Sequence, residues 1–190
     1  PFRPKRRSRA ETAREKGLEP LADMILRGEA DSIPIAKAAA GFVSTTPNEG
    51  VTTKDEALKG AADILAERIS ENVTVRDSSR KIAWRTGRIS VLPTKKNEEK
   101  RKEFENYSDY SEPVWKVPPH RTLALNRGEK EEVLRIKFEW NREVAARAIS
   151  TEYDLTSHVH RKFLDECVQD SLNRLIHPSI EREVRREITA

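Results

Sequence analysis

SHVHRKFLDECVQDSLNRLI, residues 157–176, decides the fold class. Val159, Phe163, Cys167 and Leu175 form one row at spacing four, with Leu164, Val168, Leu172 and Ile176 beside it. An α-helix brings residues three and four apart onto one face, so this spacing predicts a core helix. Pro178 then opens a last helix, with Ser179 near its start and Ile180, Val184 and Ile188 as its apolar row. Upstream, residues 142–149 also read as helical.

The same period recurs towards the N-terminus. Ser8 is a fair cap for a basic helix through Lys16, and Gly17 is placed to end or bend it. Leu18, Leu21, Ala22, Ile25 and Leu26 follow at helical spacing up to Gly28, so two short helices joined at a glycine are expected, the second packed into the core. Residues 33–43 form a small buried element between Pro34 and Gly41, and residues 45–50 a loop. Thr53 with Glu56 makes a capping box for a helix whose apolar face is Ala57, Leu58, Ala61, Ala62, Leu65 and Ile69. A further helix over 74–86 presents Val75, Ser79, Ile82 and Ala83 and ends at Gly87.

Residues 133–140, VLRIKFEW, break the helical pattern. Leu134, Ile136, Phe138 and Trp140 alternate with Arg135, Lys137 and Glu139, which is strand periodicity. One strand is not stable alone, so its partner is residues 89–92, another copy, or sequence outside this chain. Residues 94–107 are lysine-rich with no apolar face before Phe104 and read as a solvated helix or a connector. Residues 108–121 read as an extended, packed loop, and a short helix over 121–127 ends at Gly128. The fold expected is mainly α, an irregular multi-helix bundle with helix-turn-helix-like elements and one or two short β-strands. Its organisation is a basic arm and helical region over 1–92, a charged connector over 93–107, and a loop, strand and helices over 108–190.

The chain has 190 residues, 36% of them charged and 36% apolar, with a mean hydropathy of -0.77. No apolar run approaches the roughly 20 residues that span a bilayer, and no export signal opens the chain, so a soluble cytoplasmic protein is expected. The single Cys167 suits a reducing compartment and reads as a buried small hydrophobe. Pro1 in a basic segment and Ala190 in a charged helical pattern suggest cuts in a longer protein.

Catalytic patterns are absent: no glycine-rich phosphate loop, no CxxC pair and no nucleophile elbow. His158 and His160, two apart on a helix, diverge and make a poor metal pair. His120 and His177 lie beside prolines and read as turn or surface residues. The carboxylates sit among lysines and arginines, with nothing to shift their pKa. Neither enzyme activity nor a cofactor or metal is expected; a nuclease would need acidic residues clustered around a metal.

Charge distribution carries the functional signal. Residues 1–16 hold Arg3, Lys5, Arg6, Arg7, Arg9, Arg14 and Lys16 against Glu11 and Glu15, a net +5, while the whole chain carries +4. The cations between Arg3 and Arg9 are dense enough to contact successive phosphates and release their counterions. The same arm fits packing on an acidic surface of its own full-length protein equally well.

KRRSRAETAREKGLEPLA (5–22), DYSEP (109–113), PPHRTLALNRGEKE (118–131) and PSIEREVR (178–185) resemble, in the same order, blocks of the bacterial Tex proteins, the transcription accessory proteins. Two departures stand out: Ser8 in place of threonine keeps the hydroxyl cap, and Glu132 stands where a glycine commonly follows, which bears on the turn before the strand, since glycine permits positive φ and glutamate resists it. The resemblance implies a nucleic-acid-binding transcription protein similar to a eukaryotic transcription elongation and histone chaperone factor. It places this chain in the helical region before a ribonuclease-H-like YqgF domain, helix-hairpin-helix modules and an S1 RNA-binding domain. The implied partners are RNA or DNA, those other domains, and the transcription or translation machinery. The rival reading is a protein-interaction module whose basic arm and strand 133–140 dock other domains without touching nucleic acid.

Overall fold

The computed structural model describes residues 7–28, 33–46 and 50–189. In chain order its elements are α1 (Arg9–Glu15), α2 (Glu19–Arg27), α3 (Ile35–Ala40), α4 (Lys54–Glu71), α5 (Val73–Thr86), β1 (Arg88–Pro93), a 3₁₀ segment (Glu98–Tyr107), β2 (Ser111–Pro113), a second 3₁₀ turn (Val114–Lys116), α6 (Pro119–Lys130), β3 (Leu134–Glu139), α7 (Arg142–Glu152), α8 (Arg161–Asp170), a π-helical stretch (Ser171–Ile176) and α9 (His177–Thr189). The protein is mainly α, as the spacing predicts. It forms two compact units, one of Pro1–Arg76 with Ala146–Leu175, the other of Asp77–Ala145 with Ile176–Ala190.

The first unit is built around α4, against which α1, α2, α3 and α8 pack. Thr53 Oγ1 accepts the Glu56 N–H at 3.1 Å, while Glu56 reaches back to the Thr52 N–H and hydroxyl, one residue earlier than a strict capping box. Ala57, Ala61, Ile64, Leu65 and Ile69 are buried on its inner face. The α1–α2 junction turns on Gly17, whose φ of +76° suits glycine. There the Gly17 N–H donates to Arg14 O and the Leu18 N–H to Ala13 O, the two bonds of a Schellman motif.

The helix predicted over 157–176 starts four residues later. Asp154 has a φ of +51°, and a turn carries the chain to Arg161. His158 stands in that turn, where its Nδ1 accepts the His160 N–H at 3.0 Å and its Nε2 lies 2.9 Å from Leu26 O at the end of α2. With Nδ1 an acceptor, the neutral Nε2–H tautomer donates to that carbonyl. The expectation that the two histidines diverge on a helix is therefore wrong in its premise. Leu164, Val168 and Leu172 with Cys167 form the buried face, while Val159 is 53% exposed. Ser171, buried, donates to Ala66 O at 2.7 Å. Pro178 occupies the second position of α9, which follows the π-helical stretch with no turn between them, so the proline does not open a separate helix.

The second unit holds a three-stranded antiparallel sheet in the order β2-β1-β3. Ile89 faces Phe138 and Val91 faces Ile136, so the segment near 89–92 is the partner of the predicted strand. A third strand, β2, lies within what reads as a loop. Gly128 does not end α6. The helix runs on to Lys130, and the glycine serves another end: a Cβ at Gly128 would stand 2.6 Å from Leu134 Cδ1, so its absence lets α6 approach β3. Phe104 anchors the charged 3₁₀ segment in the core, with the Arg127 guanidinium 5.9 Å over its ring.

His177 is half-buried rather than a surface residue. It stacks on Phe138 and Trp140 and accepts the Trp140 indole N–H on Nδ1 at 2.9 Å. Burial, helped by Arg142, holds its pKa below the usual value against the opposing pull of Glu181 and Glu139. Leu134, Ile136, Phe138 and Trp140 are all at most 8% exposed. Arg185 from α9 donates to Ile136 O at 3.2 Å, on the β3 edge.

Candidate nucleic-acid interface

The basic stretch enters the described structure at Arg7; Arg3, Lys5 and Arg6 lie outside it. Ser8 caps α1, its Oγ accepting the Glu11 N–H at 3.0 Å. Ala10 and Ala13 are buried against α4, which fixes the roll of α1 and hence the direction of each cation on it.

Packing divides these cations into two sets. Arg14 is held between two carboxylates, with Nε 2.8 Å from Glu19 and Nη1 2.6 Å from Glu67. The hydrogen bond to Glu67 is the leading cause of its raised pKa. Burial pushes Glu67 up, but hydrogen bonds from Arg14 and Ser8 and the charge of Arg14 outweigh it and hold the carboxyl below its usual range. Glu19 also accepts from Arg68, which reaches Asp23 at 2.7 Å, so Arg14 belongs to a network joining α1, α2 and α4. Arg7 donates to Glu15 at 3.1 Å in an exposed pair, worth little in stability.

Arg9 and Lys16 form the second set. With Thr12 they occupy one exposed side of α1, and they line a shallow cleft whose other wall is Glu56, Lys59 and Asp63 from α4. Gly60 lies at its base, where a Cβ would stand 2.2 Å from Leu18 Cδ1 and 3.3 Å from Ala13 Cβ. The missing side chain is what allows α1 and the following turn to close on α4.

Burial pushes the Cys167 thiol up to about 12, which keeps it protonated and unreactive. Among the described residues, no group of three or more His, Cys, Asp and Glu is placed to hold a metal ion, and no helix is long and apolar enough to cross a membrane.

Residues 31–190 match the family model described as Tex central region-like. The chain belongs to the Tex family. YdcI of Bacillus subtilis is 39% identical over 191 residues, covering all of this chain and 26% of its own length. Protein tex of Bordetella pertussis is 41% identical over 72% of the chain and 17% of its own length. Transcriptional accessory protein Tex of Neisseria gonorrhoeae is 33% identical over 81% of the chain and 20% of its own length. This chain thus spans about a quarter or less of these relatives.

The blocks that resemble Tex proteins meet one another in the second unit. In DYSEP, Glu112 accepts the Tyr110 hydroxyl at 2.9 Å and Arg121 of the next block at 2.8 Å. Glu129 of that block pairs at 2.6 Å with Arg185 of PSIEREVR. These Tex blocks therefore carry charged contacts between elements of one fold. The exception is the first block, which forms α1, the Gly17 turn and the start of α2 and also presents cations outward.

Proposed function

We propose that this Tex region is a helical scaffold within a longer, nucleic-acid-associated transcription accessory protein, and that its basic stretch contacts phosphates. The observation that carries the reading is the run of cations from Arg3 to Arg9 leading directly into a capped, packed helix in a chain of the Tex family. A cationic segment anchored at one end by a rigid body presents charge along a phosphate backbone without base-specific contacts, so RNA and DNA both fit. The other partners proposed are the YqgF-like, helix-hairpin-helix and S1 domains of the same polypeptide and the transcription or translation machinery, in the cytoplasm. The role is non-catalytic.

At Arg14 the charge is spent inside the unit, which removes that residue from both the phosphate and the protein-interaction readings. The protein-interaction reading loses its main support at strand 133–140, because the apolar face it would offer to a partner is covered. Binding of single- and double-stranded RNA and DNA across salt concentrations separates the two. Replacing Arg3, Lys5, Arg6, Arg7 and Arg9 by alanine should flatten the logarithmic salt slope, by up to about 0.9 for each phosphate that is no longer neutralised on duplex DNA. An unchanged slope overturns the phosphate reading.

A further inference from the structure

We infer that the phosphate-contacting surface does not end with the arm but continues into the α1–α4 cleft, where Lys59 supplies a contact and Arg14 supplies none. This rests on the phosphate reading of the arm and extends it to a residue 43 positions beyond Lys16. Nothing in the sequence around Lys59 marks it, since it is one of three cations, with Lys54 and Arg68, spread along an amphipathic helix. Packing brings it into place: α1 lies against α4 because Gly60 has no side chain, and the residue next to that glycine opens onto the same cleft as Arg9 and Lys16.

Two carboxylates share the cleft, and each has another partner. Glu56 accepts the Thr52 N–H and hydroxyl at 2.9 and 3.1 Å, and Asp63 lies 3.5 Å from Arg174. Among the described residues, no ion pair within 4 Å engages Arg9, Lys16 or Lys59, and all three are exposed, although Asp63 feels the charges of Arg9 and Lys59 and Glu56 that of Lys16. Their approach to an anion thus breaks no ion pair. Arg14 would have to leave Glu19 and Glu67, two carboxylates at hydrogen-bonding distance, and charge-assisted bonds of this kind are the strong ones. A backbone leaving the arm at Arg9 therefore meets Lys16 and Lys59 next.

The test uses the 190-residue chain with four probes of mixed sequence, single- and double-stranded DNA and RNA, titrated across salt. Lys59→Gln should weaken binding about equally for every sequence of a given probe type and reduce the salt slope by about one. Arg14→Gln should leave the slope as it is and lower the thermal midpoint. If Lys59→Gln leaves the slope unchanged while Arg3, Lys5 and Arg6 to alanine flatten it, the extension fails and the arm reading stands. If neither variant moves the slope, the arm reading fails with it. A slope reduced equally in Arg14→Gln overturns the division of the cations. Thermal unfolding of Lys59→Gln should match the parent, and a lowered midpoint would make its weaker binding structural and overturn the assignment.

Discussion

At residue 132 a glutamate occupies a backbone position that suits glycine. Its φ is +58°, and its N–H donates to Glu129 O while the Val133 N–H donates to Gly128 O. These are the bonds that close α1 at Gly17, so the two helix ends share one motif with different residues at the left-handed position. The comparison isolates the cost of a side chain there. A Cβ at Gly17 would meet nothing within 4 Å, so any penalty for Gly17→Ala is conformational. It should cost about 1 kcal/mol, and Glu132→Gly should return about 0.5–1 kcal/mol after the glycine's greater unfolded-state freedom and the exposed Lys96 pair are set against it. Paired thermal or urea melts check this, and a Glu132→Gly variant no more stable than its parent removes strain from the account. The departure from glycine at 132 was legible only through the family resemblance, and its place at a helix end was not, because Gly128 reads as the end of that helix while it runs on to Lys130.

Among the elements, legibility depended on whether burial follows a local period. The alternation of Leu134, Ile136 and Phe138 is visible because one sheet face is covered, but its pairing with β1 is a long-range event that periodicity cannot specify. β2 has only three residues, and its identity comes from its hydrogen bonds to β1. Glycines misled for a related reason. Gly17 ends α1 and Gly28 caps α2 in left-handed conformations, whereas Gly60 and Gly128 sit inside helices as points of close approach; the sign of φ distinguishes the two uses, since a Cβ at Gly28 would also stand 2.4 Å from His158 Cε1. The candidate site divides the same way. The density of cations over 3–16 is local, while the engagement of Arg14 by Glu67 and the juxtaposition of Lys59 come from helix packing. α4 allows a direct test, because alanine is favoured over glycine in a helix by about 1 kcal/mol but a Cβ at 60 collides with buried Leu18. Overpacking should win, so Gly60→Ala should lose about 1–2 kcal/mol in a denaturant melt. A gain in stability would show that the α1–α4 contact has room to spare.

For the whole molecule, charge has two separable tasks. The chain carries 36 lysines and arginines against 32 acidic residues, yet its formal excess is only +4, and residues 1–16 alone account for +5. Within each unit, pairs such as Arg14–Glu67, Arg174–Asp170 and Arg185–Glu129 join neighbouring turns or elements, and most are partly exposed. Exposed and partly exposed pairs contribute roughly 0–1 kcal/mol each, and the apolar cores do most of the stabilising. Contacts to phosphates behave differently, because each releases a condensed counterion whose free energy depends directly on bulk salt. Stability and binding should therefore separate when salt is raised. Between about 50 and 200 mM, the thermal midpoint should move by no more than about 3 °C, whereas engagement of about five phosphates should cost affinity on the order of 10²–10³-fold. Melting and binding curves on one preparation decide the matter. A midpoint that collapses in step with affinity would mean that salt dissolves the fold, and the charge would then belong to the structure instead of to a nucleic-acid partner.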